Sequence, residues 1–157
     1  MIVVADTSPI NYLILIEQME VLPVLFGTIV LPRAVQTELL DPFAPERVRA
    51  WAFNIPAWVD VRTSTRISEP IFEWLGRGER EAILVAEDIA ADRFLVDEKQ
   101  GRDEARRRGI ETIGTLAVLN AAADIGLLDL ANTLARLQKT NFFLTADLIA
   151  QLLKKKP

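Results

Sequence analysis

Short apolar runs, each closed by a polar residue and followed by a stretch with helical spacing, recur along this chain. Ile2-Val3-Val4-Ala5 is continuous in its hydrophobicity and ends at Asp6, the pattern of a strand buried on both faces of a parallel sheet. Ser8 before Pro9 reads as an N-cap and a first helical residue, opening a helix to about Glu17, and a second apolar stretch runs from Val21 to Phe26. Thr28 to Leu31 is short and β-branched, and Pro32 directly after it opens a helix to about Leu40. The turn-rich segment from Asp41 to Pro45 breaks the chain before a short helix from Glu46 to Phe53 and an edge strand at Val59-Asp60-Val61.

The alternation resumes after Gly76-Arg77-Gly78. A helix from Glu79 to about Ala91 carries Ala82, Ile83, Ala86 and Ala90 at helical spacing, and Phe94-Leu95-Val96 then ends in Asp97, as the first strand ends in Asp6. Lys99 to Arg108 reads as a polar helix stopped by Gly109, Ile110 to Ile113 as a strand, and Gly114 to Ala123 as a helix. Two more helices are expected between Leu127 and Lys155. Strands and helices in alternation predict a three-layer α/β/α domain with a mostly parallel central sheet, one domain over residues 1–157 with the helices from about 127 packing on or beside it.

Composition narrows the chemistry. Half of the 157 residues are apolar, enough for a sizeable core, while 18 Lys and Arg against 22 Asp and Glu give a net charge of −4, so any contact with a polyanion must be local. The absence of both Cys and His excludes disulfide frameworks, Cys/His zinc sites, thiol nucleophiles and imidazole bases. What remains is oxygen, Lys and Arg chemistry, and a bound metal would be a hard cation such as Mg²⁺ or Mn²⁺. The start MIVVADTSP has no basic leader, and Asp6 interrupts the apolar run far short of a membrane span, so the expected location is the cytoplasm.

Four acids are out of place for solvated helix faces. Asp6 and Asp97 each end an apolar strand, which in a parallel sheet puts both at the carboxyl edge, where such folds keep their ligand crevices; Asp6 could equally serve the turn or cap the helix. Glu38 falls on the apolar stripe of Ala34 and Val35, where a carboxylate needs a partner, either a catalytic neighbour or a cation such as Arg33 or Arg62. Glu79 shares its stripe with Ala82, Ile83 and Ala86 at a helix N-terminus that favours an anion, so capping competes with a site role. Glu81, aligned with Leu84, Val85 and Asp88, is the alternative to Glu79. Carboxylates converging on one crevice resist ionisation unless a cation offsets them, and a divalent ion that also activates water is the hydrolytic engine this composition allows.

The order of strand-Asp6-Thr7-Ser8, Pro32 to Glu38, Gly78-Glu79 and Phe94-Leu95-Val96-Asp97-Glu98 resembles the PIN-domain nucleases, and most of all the VapC-type toxins of prokaryotic toxin–antitoxin pairs. The segments GEREAILVA, LVDEKQGRDEA and GIETIGTLAVL extend the likeness to about Leu127. The resemblance implies a metal-dependent endoribonuclease whose acidic quartet is Asp6, Glu38, Glu79 and Asp97, with Asp6 and Asp97 as principal metal ligands and Ser8 supporting the site. The family commonly has Asp where Glu79 stands, and Glu98 and Asp103 are candidates for a further acid after the strand. The resemblance also implies a cognate antitoxin whose peptide lies in a groove near the site, and a homodimer.

Arg77, Arg80, Lys99 and Arg102 flank these acids and are candidates for RNA-phosphate contacts, whereas Arg106-Arg107-Arg108 and Lys154 to Lys156 read as a solvated helix end and a tail. Trp51, Trp58, Trp74, Phe43, Phe53 and Phe72 pack lid helices on the core or form a groove for a partner segment. Two other readings stand beside the ribonuclease: a PIN-like binding module weakened by Glu at position 79, and a Mg²⁺-dependent phosphatase or phospho-acceptor, for which Asp6-Thr7-Ser8 lacks a second Asp.

Overall fold

The computed structural model describes residues 1–66 and 74–154. Five strands, β1 (Val3–Ala5), β2 (Ile29–Pro32), β3 (Val59–Arg62), β4 (Arg93–Leu95) and β5 (Thr112–Ile113), form one sheet in the order β3-β2-β1-β4-β5, every neighbouring pair parallel. Around it stand helices α1 (Thr7–Leu15), α2 (Val21–Phe26), α3 (Arg33–Leu39), α4 (Glu46–Phe53), α5 (Arg77–Asp88), α6 (Lys99–Arg107), α7 (Thr115–Asp124), α8 (Leu130–Gln138) and α9 (Ala146–Lys154). This is the expected α/β/α architecture. The chain steps outward from β1 to β3, then returns to lay β4 on the other side of β1, so strand order reverses between β1 and β4. That reversal opens a crevice at the carboxyl ends of these two strands.

The strands are only two to four residues long, yet β1 and β2 are buried throughout, which is why they read as continuous apolar runs. The pleat divides them between two cores. Val3, Ala5, Ile29, Leu31 and Leu95 pack with Ile10, Leu13, Val118 and Leu134 from α1, α7 and α8; Val4, Val30, Phe94 and Val96 pack with Ala82, Ile83 and Ala86 of α5 and Ala105 of α6. Helix α5 lies against the sheet and between α3 and α6, so it buries Gly78 and the whole run from Glu81 to Ala86 rather than one stripe.

Several boundaries differ from the sequence pattern. Asp6, not Ser8, holds the N-cap position of α1, and Ser8 lies in the first turn. Pro32 ends β2 and caps α3 instead of opening it, which its missing N–H allows at a strand terminus. The apolar stretch at Val21 is a helix, and the strand expected from Ile110 shortens to Thr112–Ile113 because Ile110 closes the end of α6, its N–H donating to the Ala105 carbonyl at 2.9 Å. Arg106 and Arg107 are exposed at the helix end, Arg107 while gripping the buried Glu104, but Arg108 is not solvated: it packs in and reaches Glu87 of α5 at 2.7 Å. In the last third, α8 buries Leu130, Leu134 and Leu137 and is capped by Asp129, while α9 leans on the same core through half-buried Ile149, Leu152 and Leu153. Trp51 and Trp58 pack on the core with ring centroids 6.4 Å apart, whereas Phe43, Phe53 and Trp74 are exposed; Phe72 and part of the Lys154–Lys156 tail lie outside the described residues. Among the described residues no helix is long and apolar enough to cross a membrane.

Candidate active site

The crevice beyond β1 and β4 is built from the residues that end each element. The Asp6 N–H donates to the Leu95 carbonyl at 2.9 Å, carrying the β1–β4 pairing one residue past the strand. The residue then adopts the extended N-cap conformation of α1, but its side chain makes no capping bond. Its carboxyl faces a cavity of about 250 Å³ lined also by Thr7, Ser8, Glu38, Glu79, Glu98 and Gln100, and only 3% of the residue is exposed.

Glu38 enters from α3. One oxygen accepts the Thr7 hydroxyl, and the other accepts the Gly78 N–H at 2.9 Å, so it ties α1 and α3 to the first turn of α5. Neither Arg33 nor Arg62 is its partner: Arg33 donates to Gln36 and Arg62 pairs with Asp60. The approach requires glycine at 78, where a Cβ would lie 2.6 Å from Glu38 Oε2. Gly78→Ala is therefore expected to push the Glu38 carboxylate out of this bond and to cost about 1–3 kcal/mol, read by thermal melting, with a parallel fall in any activity the site supports.

Glu79 stands in the first turn of α5, half-buried. Its Oε2 is enclosed without a hydrogen-bond partner and lies where a Cβ on Gly101 of α6 would meet it at 2.6 Å. Asp97, just past β4, turns toward α7 instead: Oδ1 accepts the Thr115 N–H at 2.8 Å and Oδ2 the Thr115 hydroxyl at 2.6 Å. It does not line the cavity, though its charge reaches Asp6. Glu98 does line it and acts on Glu79, while Asp103 is drawn off by Lys99 at 2.7 Å.

Glu81 has a different place. It is 1% exposed, and its two oxygens accept the Ala34 N–H of α3 at 2.7 Å and the Ser64 N–H at 3.2 Å. It joins α5 to the start of α3 and to the segment after β3. It lines a neighbouring cavity on the far side of Glu38, together with Arg33 and Arg77.

Electrostatics mark the cluster. Burial pushes the Asp6 carboxyl up to about 8, the Thr7 N–H opposes this, and the charges of Glu79, Glu38 and Asp97 each raise it further. Glu79 is raised by burial first, then by Glu98 and Glu38, against the Gly76 N–H. Burial and neighbouring carboxylates, with no cation, raise both groups, opposed only by backbone N–H groups. Among the described residues no three acids stand close enough together to share an ion as placed. In donor chemistry the cluster fits a hard divalent cation: the donors are all oxygens, Asp6 is buried among like charges, and Glu79 Oε2 accepts no hydrogen bond.

The basic residues expected on the rim separate. Arg77 is exposed beside Glu38; Arg80 and Arg102 are half-buried, each with its Nε enclosed and unbonded; Lys99 is exposed and pairs with Asp103. Periodicity and spacing do not reveal the groups that hold or make room for the acids, namely Thr7, Thr115, Gly78 and Gly101. A hydroxyl immediately after Asp6, and Gly114-Thr115 directly after a strand, were the available signals.

A solved PilT N-terminus domain protein from the hyperthermophilic archaeon Sulfolobus solfataricus P2 shares the fold, with a TM-score of 0.52 at 15% identity over 92% of this chain and 100% of that one. No curated protein matches. The family described as a PIN domain matches residues 2–156, nearly the whole chain and every residue of the acidic cluster. The chain belongs to the PIN-domain family.

Proposed function

We propose that this protein is a Mg²⁺- or Mn²⁺-dependent endoribonuclease and the toxin of a toxin–antitoxin pair. PIN domains are typically nucleases, and the observation that carries the reading here is the burial of Asp6 against Glu38 and Glu79, with the Asp97 charge in reach, at the point where strand order reverses. Asp6 and Asp97, with Glu38 and Glu79 directly or through water, would hold the ion, which when bound supplies Lewis-acid activation of water and neutralises phosphate charge. The residues themselves orient the site. Thr7 and Gly78 aim Glu38, Thr115 fixes Asp97 against α7, and Gly101 gives Glu79 room to approach. Ser8 supports the pocket wall beside Asp6, and Arg77 is the basic residue best placed for RNA phosphate.

The toxin role rests on the likeness of GEREAILVA, LVDEKQGRDEA and GIETIGTLAVL to the VapC-type toxins, and it brings an antitoxin and a homodimer as partners in the cytoplasm. Incubation with a panel of structured RNAs in Mn²⁺ or EDTA, followed by mapping of the cut ends, tests the chemistry: Mn²⁺-dependent cuts are expected at a few discrete positions, leaving 5′-phosphates. Induced expression in bacteria tests the biology, with growth arrest expected that Asp6→Asn relieves. A second reading, a binding module without catalysis, is favoured by the spacing of the acids, since among the described residues no three can share an ion as placed. Calorimetric titration with Mn²⁺ separates the two, since a module need not bind the metal.

A further inference from the structure

A second cleft, of about 750 Å³, lies along α1, beyond the residues that line the acidic cavity. Asn11 and Leu15 form its floor on α1, Phe43 and Arg47 its wall on the α3–α4 side, and Arg136 and Lys139 its wall at the end of α8. Its charge is the opposite of the neighbouring cavity's: three cations and no carboxylate line it, in a chain whose net charge is −4. Glu17 braces it from beside, accepting from Arg47 at 2.9 Å and from Arg136 at 3.0 Å, which holds the two guanidinium groups in place. Phe43 presents its ring almost wholly to solvent, 98% exposed, on a segment whose turn is closed by the Asp41 carboxylate at the Phe43 N–H. An aromatic held in the open among cations is poorly accounted for by packing.

Helix α1 contributes residues to both the cleft and the acidic cavity. Ser8, which lines the cavity, and Asn11 and Leu15, which line the cleft, stand on the same face of α1 at intervals of three and four residues, about 4–6 Å of rise each. We propose that this cleft is the path along which single-stranded RNA leaves the acidic cavity, with phosphates on Arg47, Arg136 and Lys139 and a base stacked on Phe43. The inference rests on the nuclease reading of the acidic cavity. Aromatic faces accept any base, and cations beside them neutralise the backbone, the combination by which single strands are bound without sequence preference. The cleft also resolves how an acidic protein approaches a polyanion: the attraction is separated in space from the carboxylates that repel it.

The test is fluorescence anisotropy of the full chain with a short labelled single-stranded RNA of mixed sequence in EDTA, so that no strand is cut. Phe43→Ala is expected to weaken binding about tenfold, the worth of one stacked base. Lys139→Ala is expected to flatten the dependence of affinity on salt by about 0.7 in log–log slope. Both side chains are exposed, and melting temperature should not move. Binding by both variants within twofold of wild type overturns the proposal. So does a loss of molecular mass by light scattering on Phe43→Ala with RNA affinity unchanged, which would assign the cleft to a second copy of the chain. The same preparations assayed with Mn²⁺ separate this inference from the nuclease reading. RNA bound through the cleft but left uncut supports the cleft and removes the nuclease; RNA cut with affinity indifferent to both substitutions does the reverse.

Discussion

Asp6→Asn is expected to lower Mn²⁺-dependent RNA cleavage by at least about a hundredfold while leaving the fold intact and the metal-free protein more stable at neutral pH. The stability gain follows from linkage. In the unfolded chain the Asp6 carboxyl loses its proton near pH 3.8, whereas in the folded protein it keeps it to about 8, because burial and three neighbouring carboxylates disfavour the anion. Between those values the folded state binds one more proton than the unfolded one, so stability falls as pH rises, at up to ~1.4 kcal/mol per unit, and levels off above the folded value. An amide at position 6 removes this slope. Mn²⁺ should also flatten it in the wild type, since a cation on the ionised carboxyl replaces the proton. Denaturant melts from pH 4 to 9, with and without Mn²⁺ and for both chains, make the measurement. A wild-type profile no steeper than that of Asp6→Asn, together with undiminished cleavage by the variant, would remove Asp6 from the site.

Glu81→Ala is expected to destabilise the protein by roughly 2–5 kcal/mol, the larger effect on stability among the acids of α5, because it strands the Ala34 and Ser64 N–H groups that the buried carboxylate satisfies. Glu79→Gln should do the opposite. Its Oε2 has no partner to lose, so the melting temperature should hold or rise while Mn²⁺ affinity and cleavage fall. The pair of substitutions, read by melting and by calorimetry with Mn²⁺, separates a carboxylate that holds the fold from one that serves the crevice. Equal destabilisation by both would mean that Glu79 also carries structural load.

Glu79 and Glu81 also show where reading from pattern stops. Helical periodicity distinguishes them, because two residues on a helix are rotated by about 200° and cannot point the same way. It puts Glu79 with Ala82, Ile83 and Ala86, and the structure does set Glu79 in the cavity of Asp6 and Glu38. Periodicity also implies that the other side of the helix is solvated. It is not, because α3 and α6 flank α5, and a carboxylate buried between helices must find backbone donors there. Asp6 illustrates the same limit from the other side. That it ends a buried strand is plain from Ile2 to Ala5; whether its carboxyl caps α1 or faces a crevice depends on a torsion of the N-cap residue that neither composition nor spacing encodes.

The sequence by itself determined the parallel α/β sandwich, through apolar runs too short and too continuous to be anything but strands covered on both faces, and it determined that the chemistry would be oxygen-based, since no Cys or His is present. It also placed Asp6 and Asp97 at strand ends, because side-chain hydrophobicity stops where the sheet stops. Tertiary structure alone decided which carboxylates share a cavity and which are held away from it. Asp97 turns to Thr115, and Glu38 is drawn in by Thr7 and Gly78, each through contacts between residues distant in the chain, while Glu98 stands exposed at the cavity's edge. Local pattern sees neighbours within a turn of helix or along a strand. The partners that orient a carboxylate here lie between 17 and 47 positions away, for Glu81, Asp97 and Glu38 alike, and only the closing of the sheet brings them within hydrogen-bond reach.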